Sequence, residues 1–427
     1  MKYGLIGEHL GHSYSKEIHE MLTDCVYELH EIAPEDLASF MKERAFCGVN
    51  VTIPYKEKVI PFLDEVEENA KRIGAVNTVV NKDGRLYGYN TDVYGLHALI
   101  TRLGVSLDGK KALILGTGGT SKTAEHVLHM LHAGEIRKVS RHPDPSKGEI
   151  SYEQAVKDHA DAGFVINTTP SGMFPHPEQC PLDLSDFAKL TGVVDVIYNP
   201  HQTTLLANAY KRGIPAAGGL YMLVMQAVKA SELFFDTTYA KEMTEEIFHT
   251  MEVRKQNVVL TGMPASGKST VGRILADRLE RDFADTDAMI VARENREISQ
   301  IFAENGEAYF RDLETEVIRE LSQRGGAVIA TGGGAILRDE NVSLLKRNGQ
   351  IYFLDRALSE LLPTDDRPLA DSADKITALY EKRYDRYLAT CDKRINCADI
   401  VGTDRSCDPD AAAKSVADRI YTLFVGT

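Results

Sequence analysis

The chain is poor in cysteine, in basic residues relative to acidic ones, and in long apolar runs. Its six cysteines, at positions 25, 47, 180, 391, 397 and 407, form no C-x-x-C pair and no zinc spacing. That excludes a disulfide framework and a structural zinc site, and it leaves free thiols in a reducing compartment. With 49 Lys and Arg against 63 Asp and Glu, the formal charge is −14. Such a balance argues against a nucleic-acid or membrane surface, so anionic ligands must be held by local clusters of cations and backbone N–H groups. No apolar stretch nears the roughly 18 residues of a membrane span, and the first residues enter a strand-like run without a signal-peptide core. A cytoplasmic protein with neither membrane nor nucleic-acid partner is expected. Short repeats, low-complexity tracts and long flexible linkers are also missing.

What is present suits a large soluble enzyme. The 427 residues, 43% hydrophobic and 26% charged, exceed one ordinary core and suggest two to four domains. Short β-rich runs alternate with helix-periodic segments: Tyr3 to Ile6, Val49 to Ile53, Ala112 to Leu115, Phe164 to Asn167, Val193 to Val196, Val258 to Leu260, Ala327 to Ala330 and Gln350 to Leu354. This alternation predicts parallel sheets covered by helices, an α/β protein. Glycines follow four of the runs, at Gly116, Gly172, Gly262 and Gly332. In open α/β sheets ligands sit at such strand ends.

The segment Gly262-Met-Pro-Ala265-Ser266-Gly267-Lys268-Ser269 lies between an apolar run and a helix-like stretch, the context of a phosphate-binding loop. Small residues let backbone N–H groups wrap phosphate oxygens, Lys268 can reach the terminal phosphates, and Ser269 offers a hydroxyl to Mg²⁺. Downstream come the paired carboxylates Asp285 and Asp287, then Gly306-Glu-Ala-Tyr-Phe310-Arg311, then Thr331-Gly332-Gly333-Gly334. An Arg367-Pro-Leu motif and a helix carrying Arg383 and Tyr387 follow. In this order the motifs resemble shikimate kinase, from about Asn257 to the C-terminus. The resemblance implies that Gly262, Ala265, Ser266, Gly267, Lys268, Ser269 and Thr270 hold ATP, with Lys268 catalytic and Ser269 and Asp285 at Mg²⁺. It implies that Asp287, Arg311, Gly333 and Arg383 bind shikimate and that Arg367 closes from a lid. Arginines suit the carboxylate of such a substrate, and phosphoryl transfer depends mainly on positioning and charge neutralisation. The run before Arg367 is short and acidic (Thr364, Asp365, Asp366), a departure from the usual lid.

In the first half, Lys111-Ala-Leu-Ile-Leu-Gly116-Thr-Gly118-Gly119-Thr120-Ser121 reads as strand, glycine turn and helix start, a partial dinucleotide fingerprint with Ser121 in place of the third glycine. About 20 residues on, where an acidic residue would select NAD, stand Ser140, Arg141 and then Lys147. Cations there favour the extra phosphate of NADP. Upstream, clusters around Ser13 and Ser15, Thr52 and Lys56, Asn77, and Asn90 to Asp92 gather hydroxyls, amides, one lysine and one aspartate. Such a set can bind a polyhydroxylated ring and move a proton.

By these ordered motifs, with Asn167-Thr-Thr-Pro-Ser-Gly172, Asp195-Val-Ile-Tyr198 and Gly219-Leu-Tyr-Met222-Leu-Val-Met-Gln226, the first ~250 positions resemble shikimate dehydrogenase. The resemblance implies Lys56 and Asp92 as the catalytic pair. Ser13, Ser15, Thr52, Asn77, Tyr198 and Gln226 would contact the shikimate skeleton. NADP(H) would rest on Gly116, Gly118, Gly119, Thr120, Ser121, Ser140, Arg141, Lys147, Gly219 and Met222. His9 and Lys16 stand where the family commonly has proline, and Ser140-Arg141-His142 replaces its usual Asn-Arg-Thr.

The expected fold is a split substrate-binding α/β domain (1–95 plus 219–250) with a Rossmann-like NADP domain (96–218). A connector (251–256) then leads to a P-loop, nucleoside-monophosphate-kinase-like parallel-sheet domain (257–427). The expected activity is bifunctional: NADPH-dependent reduction of 3-dehydroshikimate, then ATP-dependent phosphorylation of shikimate. Two alternatives stay open, a quinate or shikimate dehydrogenase preferring NAD and a non-catalytic shikimate sensor. Monomer and homodimer are both compatible with the sequence. Co-production of two enzymes at equal stoichiometry accounts for the fusion without direct transfer of shikimate.

Overall fold

The computed structural model describes residues 1–10, 14–361, 372–401 and 408–426. The chain divides into two compact units, Met1–Met251 and Glu252–Thr427. Of the expected connector, 251–256, all but residue 256 belong to the helix Lys241–Lys255. None of the described helices is long and apolar enough to cross a membrane.

The first unit contains two six-stranded sheets. One is built from β1 (Tyr3–Gly7), β2 (Tyr27–Glu31), β3 (Gly48–Val51), β4 (Glu65–Val66), β5 (Thr78–Lys82) and β6 (Arg85–Tyr89) in the order β2-β1-β3-β5-β6-β4. It is mixed, because β5 runs antiparallel to both β3 and β6. The second consists of β7 (Ala112–Leu115), β8 (Ile136–Val139), β9 (Glu149–Ile150), β10 (Phe164–Asn167), β11 (Gly192–Asp195) and β12 (Ala216–Gly218), ordered β12-β11-β10-β7-β8-β9. All its pairings are parallel. The runs that form β7, β10 and β11 are buried at every position, as parallel strands covered on both faces must be.

After the second sheet the chain returns to the first. Helix Leu220–Phe235 packs Leu220, Val224, Ala227 and Val228 against Ile18 and Leu22, while Ala230 and Phe234 join Leu5, Tyr27 and Val80. Close approach is specified by glycine. A methyl on Gly95 would overlap the Met222 carbonyl where helix Thr91–Arg102 crosses this helix. A methyl on Gly48 would enter the Phe234 ring.

The second unit holds β13 (Asn257–Thr261), β14 (Phe283–Asp285), β15 (Val328–Ala330), β16 (Gly349–Asp355) and β17 (Lys393–Asn396), all parallel, in the order β14-β15-β13-β16-β17. The central β13 is fully buried. It delivers the phosphate loop at the place where the strand order changes direction, the position at which open α/β sheets bind ligands.

Candidate functional sites

The first site lies at the carboxyl ends of β1 and β3, in a cavity of about 260 Å³ whose lining includes Ser15, Thr52, Lys56, Asn77, Asp92 and Gln226. Lys56 Nζ stands 2.6 Å from Asp92 Oδ2, both side chains partly exposed. Asp92 sits in the first turn of helix Thr91–Arg102. The cavity wall is a buried amide and hydroxyl network. Asn77 Oδ1 accepts from the Thr91 N–H at 2.7 Å and from Thr78 Oγ1 at 3.1 Å. Asn50 donates to Thr78 Oγ1 at 3.0 Å and accepts from Tyr27 OH at 2.7 Å. These bonds fix amide orientations before any ligand arrives. Tyr14 and Tyr198 pack with ring centroids 5.4 Å apart. Burial, with Tyr198 alongside, pushes the Tyr14 hydroxyl up to about 12, so it stays protonated and able to donate.

Tyr198, Gly219 and Met222 also line this cavity, beside the substrate residues. Thr120, at the start of helix Gly119–Met130, reaches it too. Ser13 lies outside the described residues.

The groove next to the fingerprint has a volume of about 830 Å³ and contains Gly116, Gly118, Ser140 and Arg141. Gly116 has φ +102, and a methyl there would stand 2.8 Å from Thr169 Cγ2. Ser121 uses its hydroxyl to close the turn, donating to the Gly118 carbonyl at 2.6 Å. That replaces the third glycine by a local bond. Lys147 does not enter the groove. It is 71% exposed and paired with Asp144 at 3.1 Å. His142, Tyr152 and His176 line the groove instead. His142 follows Arg141 directly and was the legible one.

The phosphate loop frames a third pocket, about 260 Å³, bounded by Ala265, Gly267, Lys268, Ser269, Thr270, Asp285, Asp287 and Gly333, with Pro264 and Thr331. Gly262 at φ +152 and Gly267 at φ +87 supply the turns. Ala265, a residue with a side chain, is held at φ +63. Lys268 Nζ is folded onto the Gly262 and Met263 carbonyls at 2.9 and 2.8 Å. Asp285 performs two tasks. Its Oδ1 caps helix Thr286–Glu294 through the Asp287 and Ala288 N–H groups, and its Oδ2 accepts from Ser269 Oγ at 2.6 Å. This fixes two oxygen donors side by side. Among the described residues no cluster of three His, Cys, Asp or Glu could chelate a metal unaided. Two fixed oxygens fit Mg²⁺, which keeps waters and takes substrate phosphates as ligands.

Beyond the loop, Arg311 and Arg383 are both buried. Helix Ile298–Ser322 breaks at Gly306 (φ 83, ψ 171) before the turn that carries Arg311. The Arg311 guanidinium contacts Glu314 at 2.9 Å and Glu307 at 3.1 Å and lies flat against Gly334, where a methyl would overlap three of its atoms. Arg383 Nη1 donates to the Gly333 carbonyl at 3.1 Å. Burial lowers the Arg383 pKa from its ordinary value, with Arg311 nearby adding to the effect. Such a pair invites an anion. Glu314 was not foreseen, though its i+3 spacing from Arg311 was readable. Burial raises its carboxyl despite Arg311, and a methyl on Gly332 would stand 2.5 Å from Asp287 Oδ1 and 2.7 Å from Glu314 Oε1. Two carboxylates therefore flank one glycine. Arg367 lies outside the described residues.

Comparison with known proteins finds matches in both units. The family model "Shikimate dehydrogenase substrate binding domain" matches residues 5–79, and the model "Shikimate kinase" matches residues 264–419. A curated relative, shikimate dehydrogenase (NADP(+)) of Clostridium perfringens, is 37% identical over 269 residues, covering 59% of this chain and 98% of that protein. The solved chorismate mutase/shikimate 5-dehydrogenase fusion protein from Clostridium acetobutylicum is 35% identical with a TM-score of 0.56, over 58% of this chain and 96% of that one. Shikimate 5-dehydrogenase from Thermus thermophilus, solved with NADP(H) and shikimate, is 31% identical with a TM-score of 0.52, over 58% of this chain and 99% of its own. With nearly the full length of such relatives spanned by its first part, the chain belongs to the shikimate dehydrogenase family and carries a shikimate kinase domain in its second unit.

Proposed function

We propose that this protein reduces 3-dehydroshikimate to shikimate with NADPH in its first unit and phosphorylates shikimate with ATP in its second. The observation that carries this reading is the coexistence of two sites with their chemical groups in place: the Lys56–Asp92 pair beside an amide-lined cavity, and a phosphate loop facing Asp287 with two buried arginines behind it. A non-catalytic sensor would have no use for the first pair or for Lys268. Arg141 in the groove favours NADP over NAD.

NADPH supplies the hydride when bound. Hydride addition to the ketone leaves negative charge on oxygen, and Lys56 gives the proton that quenches it. Asp92 holds the ammonium in place at 2.6 Å. Asn77, Thr52, Ser15 and Gln226 are placed to hold the hydroxyls of the ring, with Ser13 assigned to the same set.

In the second unit Arg311 and Arg383 hold the substrate carboxylate, a demand that planar guanidinium groups meet better than lysine. Asp287 accepts the proton of the reacting hydroxyl and aligns its oxygen. Lys268 leaves the loop carbonyls for the terminal phosphates, and Arg367, outside the described residues, is assigned to the transferred group. Ser269 and Asp285 would hold Mg²⁺, which neutralises phosphate charge. We assign the protein to the cytoplasm, a reducing compartment that suits cysteines without paired spacing.

The test is a coupled assay with 3-dehydroshikimate, NADPH and ATP on the intact chain. Formation of shikimate 3-phosphate with stoichiometric NADPH oxidation is the expected result. Oxidation of quinate with NAD⁺ in preference to shikimate with NADP⁺ would overturn the first assignment.

A further inference from the structure

Strand β16 ends at Asp355 beside β13, so the next residue, Arg356, emerges alongside the phosphate loop. Its Nε donates to the Ser266 carbonyl at 3.1 Å. Its Nη2 lies 3.7 Å from where a side chain on Gly267 would begin. The side chain is 24% exposed, with Glu360 at 3.9 Å as its carboxylate neighbour. The contact is therefore specific and only partly screened.

The bond matters because of which peptide it touches. Ser266 C=O and Gly267 N–H belong to one planar unit and point in opposite directions. Gly267 is the N-cap of helix Lys268–Leu279, with φ +87, and N–H groups at such a terminus are those that receive phosphate. Donation from a cation into the carbonyl polarises the amide and makes its N–H a stronger donor on the opposite side. Lys268 meanwhile occupies the Gly262 and Met263 carbonyls. Once Lys268 moves to the phosphates, Arg356 is the cation still holding the loop from outside.

We propose that Arg356 is a nucleotide-positioning residue of the kinase site, acting through the Ser266–Gly267 peptide to hold and polarise the amide that meets a nucleoside di- or triphosphate. This rests on the kinase reading above and extends it to a residue outside the loop. Arg356 touches the loop rather than the acceptor pocket, so its effect falls on the nucleotide and spares shikimate.

The experiment uses the full chain as Arg356→Gln and Arg356→Lys. Because the chain has no tryptophan, N-methylanthraniloyl-ADP can serve as a fluorescent probe without indole background. KM values for ATP and shikimate are measured on the same preparations, with thermal melting to confirm folding. In Arg356→Gln, ADP should bind about tenfold or more weakly, as for loss of a charge-assisted hydrogen bond. KM for ATP should rise in parallel while KM for shikimate holds, and Arg356→Lys should recover much of the loss. Unchanged ADP affinity in folded Arg356→Gln, or equal losses for ATP and shikimate, would overturn the inference. Weakened ADP binding in a protein whose unaltered form phosphorylates no shikimate would uphold it while removing the kinase reading.

Discussion

Replacing Gly334 with alanine tests the acceptor pocket through one methyl group. Gly334 has φ −103 and ψ −3, a conformation open to alanine, so the substitution adds bulk without backbone strain. Its methyl would overlap Nη1, Nη2 and Cζ of Arg311, and the guanidinium must shift by about 1 Å to reach ordinary contact distance. It has little room to do so. Arg311 is 8% exposed and tethered to the fully buried Glu314. A displaced guanidinium loses its bidentate grip on a carboxylate, a charge-assisted interaction worth about 1.5–3 kcal/mol. That corresponds to a loss of about 10- to 150-fold in kcat/KM for shikimate. KM for ATP should change little, and NADP⁺ reduction by the first unit should not change at all. ADP release and NADPH absorbance on one preparation read both activities. A Gly334→Ala protein with undiminished kcat/KM for shikimate would refute the assignment of Arg311 to the substrate.

Three further outcomes follow from the same reasoning. Lys56→Ala should lower dehydrogenase turnover by about 10²- to 10⁴-fold and spare the kinase, while Lys268→Ala should do the reverse; loss of both activities in either folded variant would contradict two independent sites. Burial holds the His19 pKa at about 3 against an ordinary 6.5, with Asn50 opposing in part. The unfolded chain therefore takes up a proton below pH 6.5 that the folded chain refuses, and stability is lost as pH falls through that window, by about 2 kcal/mol between pH 7 and 5. His19→Phe, which keeps a ring against Tyr27, should flatten this dependence in urea titrations followed by dehydrogenase activity. Ala265→Gly should relieve left-handed strain of about 1–2 kcal/mol, partly offset by the greater freedom of unfolded glycine. A small rise in the melting temperature of the second unit is expected, and a fall would show that the alanine methyl makes compensating contacts.

Each of the eight apolar runs singled out from the sequence overlaps a strand, because strands buried on both faces must be apolar throughout. Elements without that constraint escaped notice. Strand β2, Tyr-Glu-Leu-His-Glu, has only its first residue buried, and β17, Lys-Arg-Ile-Asn, only Ile395. The β5–β6 hairpin carried its signal in Asp83-Gly84, both at positive φ. Side-chain placement followed the same division. The clusters around Lys56, Asn77 and Asp92 converge on one cavity, since one follows β3, one leads into β5 and one opens helix Thr91–Arg102. Lys147 is exposed and pairs with Asp144 instead of lining the groove, a local pairing invisible to motif spacing. Sequence could also count three glycines at 332–334 without saying which faces which group. Gly332 meets two carboxylates, Gly333 meets Pro264 and Gly334 meets Arg311.

The two proposed sites must hold the same carboxylated ring, yet they use different chemistry for a reason rooted in charge. Among the described residues the first cavity contains one cation, Lys56, already balanced by Asp92, and its other polar groups are neutral amides and hydroxyls. Reduction there creates negative charge at one oxygen for a moment and quenches it by proton transfer, so a single ammonium suffices. The second pocket must bring an anionic ring against a polyanionic nucleotide, with Asp285, Asp287 and Glu314 adding carboxylates nearby. Neutral hydrogen bonds would leave that repulsion unanswered in a protein of formal charge −14. Arg311, Arg383, Lys268 and Arg356 answer it with cations fixed in position. Two of them, Arg311 and Arg383, are largely desolvated, so their attraction for an anion is less weakened by water and salt than that of surface charges. The acidic chain thereby sets cations among the carboxylates of the second pocket.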